Sequence, residues 1–202
     1  MELFRSEWIT IIGAPWSWKT TAWRIAARKI ENELKISHIF HDMDDDGLQG
    51  LNWWGENWVA KKLCELWDEW FLEAEWQFIV DNYGDTEESK SYNLDTLLFC
   101  STGSLSLSHN AMKHVRERST VILLHVPIDV LASRAFPYGR ADGNTRIVWM
   151  NGQTPRFKTL KETLEYRWWI YEAFADIILP YREESPKKTW TRLADLILNT
   201  LK

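Results

Sequence analysis

The stretch "WITIIGAPWSWKTT", residues 8–21, decides the fold. A β-branched run ends at Gly13, and Lys19-Thr20 opens a segment of helix-forming residues. This order is typical of a phosphate-binding loop, Gly-x-x-x-x-Gly-Lys-Ser/Thr, in which backbone N–H groups at the start of a helix surround phosphate oxygens. The position of the second glycine is Trp18, however, so the loop carries a large side chain where backbone should approach phosphate.

The bulk composition is that of an ordinary globular protein. The chain has 202 residues, 45% hydrophobic residues and a net charge of −5. We therefore expect one domain over residues 1–202, a monomer in the cytoplasm, with neither nucleic acid nor membrane as a partner. Cys64 and Cys100 lie far apart, which disfavours a zinc site or a disulfide framework. One count is unusual: there are 14 tryptophans and only 9 glycines.

Apolar runs alternate with segments of helical periodicity along the chain. The patterns predict strands at 8–13, 36–42, 96–101, 120–126 and 176–180, and helices at 19–34, 58–80, 109–118, 127–135, 158–175 and 187–202. Residues 81–93 are predicted to be a loop, and 136–158 a mobile flap rich in Gly, Asn, Pro and Arg. Such alternation indicates a parallel sheet covered on both faces by helices, an α/β fold of three layers.

Two further stretches follow predicted strands and carry candidate site residues. In "HDMDDD" (41–46), Asp42 and Asp44 point to one side of an extended chain, at the carboxyl edge where α/β proteins bind ligands. The alternative is an acidic loop or a helix cap. "STGSLSLS" (101–108) has small residues that let backbone approach a ligand, and the alternative is a plain turn.

Taken together, these motifs resemble the shikimate kinase family. The order is a phosphate loop, Asp-x-Asp, a small-residue turn, a flap with Arg146, and "YRWWIYEAFADIIL" (166–179), which is similar to the family's Glu-Arg-x-Pro-Leu-Tyr…Ala-Asp-Ile. The resemblance implies a P-loop kinase fold with a five-stranded parallel sheet and a lid at about 136–158. It also implies ATP and Mg²⁺ as cofactors, and phosphorylation of a hydroxyl on a small carboxylic acid, with shikimate as the leading acceptor.

The resemblance also implies roles for individual residues. Lys19 binds the outer phosphates, and Thr20 and Asp42 form the magnesium site. Asp44 holds the acceptor hydroxyl and deprotonates it. Arg146 closes on the phosphates as a catalytic residue. The remaining assignments are the nucleotide-binding set Gly13, Ala14, Pro15, Trp16, Ser17, Trp18, Lys19, Thr20, Thr21 and Arg134, and the acceptor-binding set Asp44, Gly103 and Arg167. A single arginine, taken without this context, is more often a solvated surface group.

The chain departs from the family pattern in three places. Leu72 stands where the family usually has an arginine that binds the acceptor carboxylate, and the family's triple glycine is reduced to Gly103-Ser104-Leu105. Trp16 and Trp18 stand where the family has glycine. The first two departures concern the acceptor, so shikimate is predicted less firmly than phosphoryl transfer, and gluconate or another hydroxy acid is an alternative.

The excess of tryptophan and the shortage of glycine suggest one explanation. A UGA codon is read as tryptophan under some genetic codes and as glycine in certain uncultured bacteria, and translation under the wrong code produces this pattern. Position 23 is a further candidate, whereas Trp8, Trp169 and Trp190 suit tryptophan as well. The alternatives are a non-catalytic, tryptophan-rich protein derived from this fold, or a surface that stacks single-stranded nucleic acid, which the acidic charge disfavours.

Overall fold

The structure is a computed structural model that describes residues 8–14, 17–34, 38–43, 68–83, 96–135 and 160–201. The strands are β1 (Trp8–Ile12), β2 (His38–Asp42), β3 (Thr96–Cys100), β4 (Ser119–His125) and β5 (Ile177–Pro180). The helices are α1 (Lys19–Leu34), α2 (Asp68–Tyr83), α3 (His109–Arg118), α4 (Ile128–Ala135), α5 (Leu160–Phe174) and α6 (Pro186–Leu201), with a 3₁₀ turn at Leu105–Leu107.

In the described ranges the five strands form one parallel sheet in the order β2-β3-β1-β4-β5. β1 lies at the centre, where Thr10 is in register with Phe99 on one side and Val121 on the other. The inner strands are apolar along nearly their whole length because a parallel sheet is covered on both faces. The predicted five-stranded α/β fold is confirmed.

The right-handed crossover rule explains how the helices cover this sheet. The connection from β1 to β2 runs in the opposite direction to the later connections, so α1 lies on one face and α2 and α3 on the other. Helix α6 packs against α1, and α2 packs against α3. Among the described residues, no helix combines the length and the apolar character needed to cross a membrane.

Helix α1 buries Trp23 in the core, whereas Ile25 on the same helix is exposed. Ala22, Ala26 and Ile30 share this buried face. The Trp23 indole nitrogen, Nε1, is buried without a hydrogen-bond partner among the described residues.

One ion pair joins the exposed sides of α1 and α6. Lys29 Nζ lies 2.5 Å from Asp195 Oδ1 and 3.7 Å from Glu33 Oε1. The hydrogen bond to Asp195 is the largest cause that raises the pKa of the Lys29 ammonium. The pair therefore marks the contact between the first and last helices, although an exposed pair adds little stability.

Helix α2 is longer at its carboxyl end than predicted. It continues to Tyr83, three residues into the segment predicted as a loop. The predicted lid at 136–158, and the predicted start of this helix at 58–67, lie outside the described residues.

Candidate active site

The phosphate loop begins where β1 ends at the carboxyl edge of the sheet. Gly13 has a φ of +152°, in the region that favours glycine. A Cβ at this position would lie 3.0 Å from the Leu124 carbonyl oxygen of β4 and 3.4 Å from Ser17 Oγ. Any side chain would therefore push the loop off the neighbouring strand, which explains why the motif needs glycine here.

The loop turns back on itself so that Lys19 and Ser17 face its interior. Lys19 is the first residue of α1 and only 6% exposed, and its Nζ donates to the Ala14 carbonyl at 3.2 Å. Ser17 N donates to the same carbonyl, also at 3.2 Å. Ser17 Oγ is buried and has no hydrogen-bond partner among the described residues. A buried ammonium, a spare hydroxyl and the N-terminus of a 16-residue helix together suit an anion.

Thr20 and Asp42 lie at the same edge of the sheet as this loop. Thr20 Oγ1 is 4.0 Å from Cys100 Sγ, at the end of β3. Asp42 ends β2, is 1% exposed, and has its Oδ2 4.0 Å from Arg24 Nη2. Oxygen atoms of a hydroxyl and a carboxylate are the ligand type that magnesium prefers, so these residue types fit the predicted metal role.

Trp18 has the backbone conformation of a glycine. Its φ is +68°, and among the described residues other than glycine it alone has a positive φ. Holding a bulky residue there costs about 1–3 kcal/mol. The indole is 46% exposed, and its ring centroid lies 5.5 Å from Arg134 Cζ. An exposed cation–π contact contributes only about 0.5–1 kcal/mol, so it does not offset the strain.

A pocket opens beside the loop on the side of Arg134. Arg134 Cζ also lies 5.7 Å from the ring centroid of Tyr181, so the guanidinium contacts two aromatic rings. Glu184 is held by Arg192 at 2.7 Å and by the Thr189 hydroxyl at 3.2 Å. The pocket is lined by Ser17, Trp18, Leu124, Val126, Arg134, Tyr181, Glu184, Thr189 and Trp190. The sequence predicted Arg134 for this site but not the residues contributed after β5.

The second part of the site is the turn Thr102–Ser104, here called the acceptor turn, which follows β3. Thr102 Oγ1 donates to Glu75 Oε1 at 2.5 Å, and Ser104 Oγ donates to the same oxygen at 2.6 Å. The Leu105 amide donates to Thr102 Oγ1 at 3.0 Å and so begins the 3₁₀ turn. The acceptor turn is thus fixed to helix α2 by its own hydroxyl groups.

Helix α5 holds the opposite side of the acceptor turn. Arg167 is 3% exposed, and its Nη1 donates to the Gly103 carbonyl at 3.3 Å. Tyr171, one helical turn later, donates its hydroxyl to the same carbonyl at 2.6 Å. Arg167 Nε is buried without a hydrogen-bond partner among the described residues. The predicted pair Gly103 and Arg167 therefore does meet, and the guanidinium keeps a donor available.

The described residues bring the predicted site together only in part. Lys19, Thr20 and Arg134 gather around the phosphate loop, and Thr21 is exposed on the outside of α1. Ala14 is buried in the loop. The predicted residues Pro15, Trp16, Asp44 and Arg146 lie outside the described residues.

Sequence reasoning missed Glu75 as a site residue. A glutamate within a helix is usually solvated, and the sequence offers only its spacing from the apolar Ile79, four residues later, as a sign of burial. In the structure its exposed fraction is 0%.

Comparison with known proteins decides the family. The model of the family described as shikimate kinase matches residues 88–200, which is more than half of the 202-residue chain. The chain belongs to the shikimate kinase family. This is a family of nucleotide-binding phosphotransferases, and the matched region contains the acceptor turn, Arg134 and Arg167.

Solved shikimate kinases share the fold over nearly the whole chain. The enzyme from Acinetobacter baumannii in complex with shikimate is 16% identical, with a TM-score of 0.64, over 98% of this chain and 97% of that one. The enzyme from Bacteroides thetaiotaomicron is 18% identical, with a TM-score of 0.63, over 95% and 98%. That from Aquifex aeolicus is 18% identical, with a TM-score of 0.58, over 96% and 95%. No curated protein matches the chain.

Proposed function

We propose that this chain transfers the γ-phosphoryl group of ATP to a hydroxyl of a small carboxylic acid, with shikimate giving shikimate 3-phosphate as the leading reaction. The observation that carries the proposal is the burial of the Arg167 guanidinium beside the acceptor turn. A guanidinium that is 3% exposed, beside the acceptor turn and with Nε unpartnered among the described residues, is costly unless it meets an anion. The bound shikimate of the Acinetobacter baumannii relative supports the same acceptor class.

The groups around the phosphate loop fit a nucleotide triphosphate with magnesium. Lys19 would hold the outer phosphate oxygens, and the Ser17 hydroxyl and the amides at the start of α1 would surround the inner ones. Thr20 and Asp42 would hold the magnesium ion, which when bound neutralises charge on the phosphates. The protein's own contribution is then positioning and a fixed positive charge at Lys19.

On the acceptor side, Arg167 would pair with the carboxylate and Gly103 would let the backbone approach the ring of the acid. Asp44 would hold the acceptor hydroxyl and take its proton, and Arg146 would close on the phosphates from the lid at about 136–158. These two roles rest on the family resemblance alone. We further propose one domain over residues 1–202, acting as a monomer in the cytoplasm.

Leu72 favours a second candidate within the same reaction type. It is partly buried on α2, three residues before Glu75, and it offers no charge to a carboxylate. Among the described residues, recognition of the acid then depends on Arg167, which suits a hydroxy acid such as gluconate as well as shikimate. The strained Trp18 supports the other class of alternative, a non-catalytic binding protein.

A turnover assay with two forms of the full chain tests the proposal. The chain as written is compared with the double variant Trp16→Gly, Trp18→Gly, each supplied with ATP, magnesium, and either shikimate or gluconate. We expect the double variant to produce ADP at a rate that rises with shikimate concentration. Faster turnover with gluconate would make gluconate the favoured acceptor. ADP release independent of either acid would indicate ATP hydrolysis instead of transfer to an acid, and no ADP release from the double variant would leave the non-catalytic alternative.

A further inference from the structure

We propose that Glu75 is a positioning residue that fixes the acceptor turn and thereby sets the affinity for the acceptor, an inference that rests on the proposed function. Glu75 lies on α2, which contributes no other described polar contact to this turn. Its exposed fraction is 0%. A carboxylate so deeply buried is tolerated only where hydrogen bonds compensate for the water it has lost.

The hydroxyls of the acceptor turn provide this compensation at one of the two carboxylate oxygens. Thr102 and Ser104 both donate to the Oε1 atom of Glu75, at 2.5 and 2.6 Å. These lengths are typical of hydrogen bonds from a hydroxyl to a charged oxygen, which are about twice as strong as neutral ones. Since Thr102 Oγ1 also accepts the Leu105 amide, the hydrogen bond to Glu75 fixes the backbone beyond the turn as well.

The turn is therefore held between two helices. Glu75 on α2 binds the side chains of residues 102 and 104, while Arg167 and Tyr171 on α5 bind the carbonyl of Gly103 between them. Loss of the Glu75 contacts would free one side, and the carbonyl could then shift relative to Arg167. Because Arg167 is the proposed carboxylate ligand, Glu75 acts on the acceptor through this geometry and not by touching it.

Ser104 is one of the residues at which this chain departs from the triple glycine of the family pattern. It stands in the reduced triple-glycine turn, at a position where glycine has no hydroxyl to donate. Leu72, at the position of the family's second arginine, carries no charge for Glu75 to pair with. In this chain the hydroxyls of the turn supply the hydrogen bonds at the Oε1 atom of the carboxylate.

The first experiment needs no substrate. Amide hydrogen exchange of Leu105 is measured in the full chain and in Glu75→Gln and Glu75→Ala, with Glu73→Gln, an exposed position on the same helix, as the matched control. We expect exchange to be about tenfold faster in Glu75→Gln and faster still in Glu75→Ala, since the amide oxygen of Gln accepts more weakly. Exchange in both variants equal to that of Glu73→Gln would overturn the proposal.

The second experiment separates positioning from general damage. In the glycine-restored enzyme, Glu75→Gln should raise the KM for shikimate by about 10- to 100-fold and change the KM for ATP by less than about twofold. Ser104→Ala should give a smaller rise, and Thr102→Ser, which keeps its hydroxyl, should match the parent. Equal rises in both KM values would show a merely structural role and overturn the proposal.

These outcomes are distinguishable from failure of the proposed function. A parent enzyme without turnover on any acid removes the proposed function, while the exchange of Leu105 still decides whether Glu75 fixes the turn. If Glu75→Ala loses its folded circular dichroism spectrum, Ser104→Ala decides: unchanged exchange at Leu105 in that variant overturns the proposal.

Discussion

The phosphate loop and the acceptor turn lie side by side but differ in how they are held. They follow adjacent strands, β1 and β3, and the Ser101 amide donates to the Ile11 carbonyl at 3.0 Å. The acceptor turn is fixed from both sides by side chains of α2 and α5. In the phosphate loop, by contrast, Ser17 Oγ has no hydrogen-bond partner among the described residues, and the backbone of Trp18 is strained by its positive φ. The turn is thus held by the protein's own side chains, whereas the loop carries backbone strain at Trp18.

The largest effect should come from the charge inside the loop. Lys19→Ala, made in the Trp16→Gly, Trp18→Gly chain, should lower kcat/KM by about 10³-fold, which corresponds to a loss of about 4 kcal/mol of transition-state stabilisation. The reason is that the variant lacks the fixed positive charge that would contact the transferred phosphate. Steady-state kinetics measure this, with the exposed Lys113→Ala as the control. A loss of less than tenfold would mean that the loop is not the catalytic phosphate site.

The next effect should appear on the other side of the comparison, at Arg167. Arg167→Ala should raise the acceptor KM by about 10- to 100-fold, or roughly 1.5–3 kcal/mol, with little change in the KM for ATP. The exposed Arg28→Ala is the matched control. The methyl ester of shikimate has no carboxylate charge and should be nearly insensitive to the change. An unaltered KM for the acid would make Arg167 a structural residue only.

A smaller effect should follow from removing the backbone strain and the indole ring at Trp18. Trp18→Gly should bind an ATP analogue with magnesium about tenfold more tightly than the chain as written, and the further change Trp16→Gly should add to this. Trp18→Ala removes the ring but keeps a Cβ at a φ of +68°, so its affinity should lie between the two. Titration calorimetry gives the values, with the exposed Trp169→Ala as the control. Tight binding by the unaltered chain contradicts this account of the loop.

The identity of residues 16 and 18 can be tested in the source organism. Peptide mass spectrometry of the native protein should show glycine at 16 and 18 if the codons were read under the wrong code. Tryptophan at both positions would leave the altered loop as a property of the protein itself.

The smallest effect should be at Arg134. In the glycine-restored chain, Arg134→Ala should weaken adenosine binding by about two- to fivefold through loss of stacking on the guanidinium. Binding of inorganic triphosphate should stay the same, because the phosphates lie at the loop. In the chain as written the indole already covers Arg134, so the variant should change adenosine binding less. Equal losses for both ligands would mean that Arg134 contacts phosphate.

Much of the fold was predictable because it depends on local patterns. The strand at 8–13 ended in a motif with fixed spacing, so Gly13 and Lys19 were placed correctly. Glu75 was not predictable, because its burial depends on hydroxyls that come 27 and 29 residues later. Tyr181 was missed for the same reason: tertiary packing alone brings it to Arg134.

The central place of β1 also determines when the nucleotide site is completed during synthesis. β1 is made before its two neighbours in the sheet, which are β3 at 96–100 and β4 at 119–125. Helix α1, which follows β1, packs against α6 at 186–201. Contacts so distant in sequence form slowly, because a long loop must close before they give any stabilisation. We therefore expect a nascent chain truncated before residue 186 to lack nucleotide binding, although it contains the entire phosphate loop.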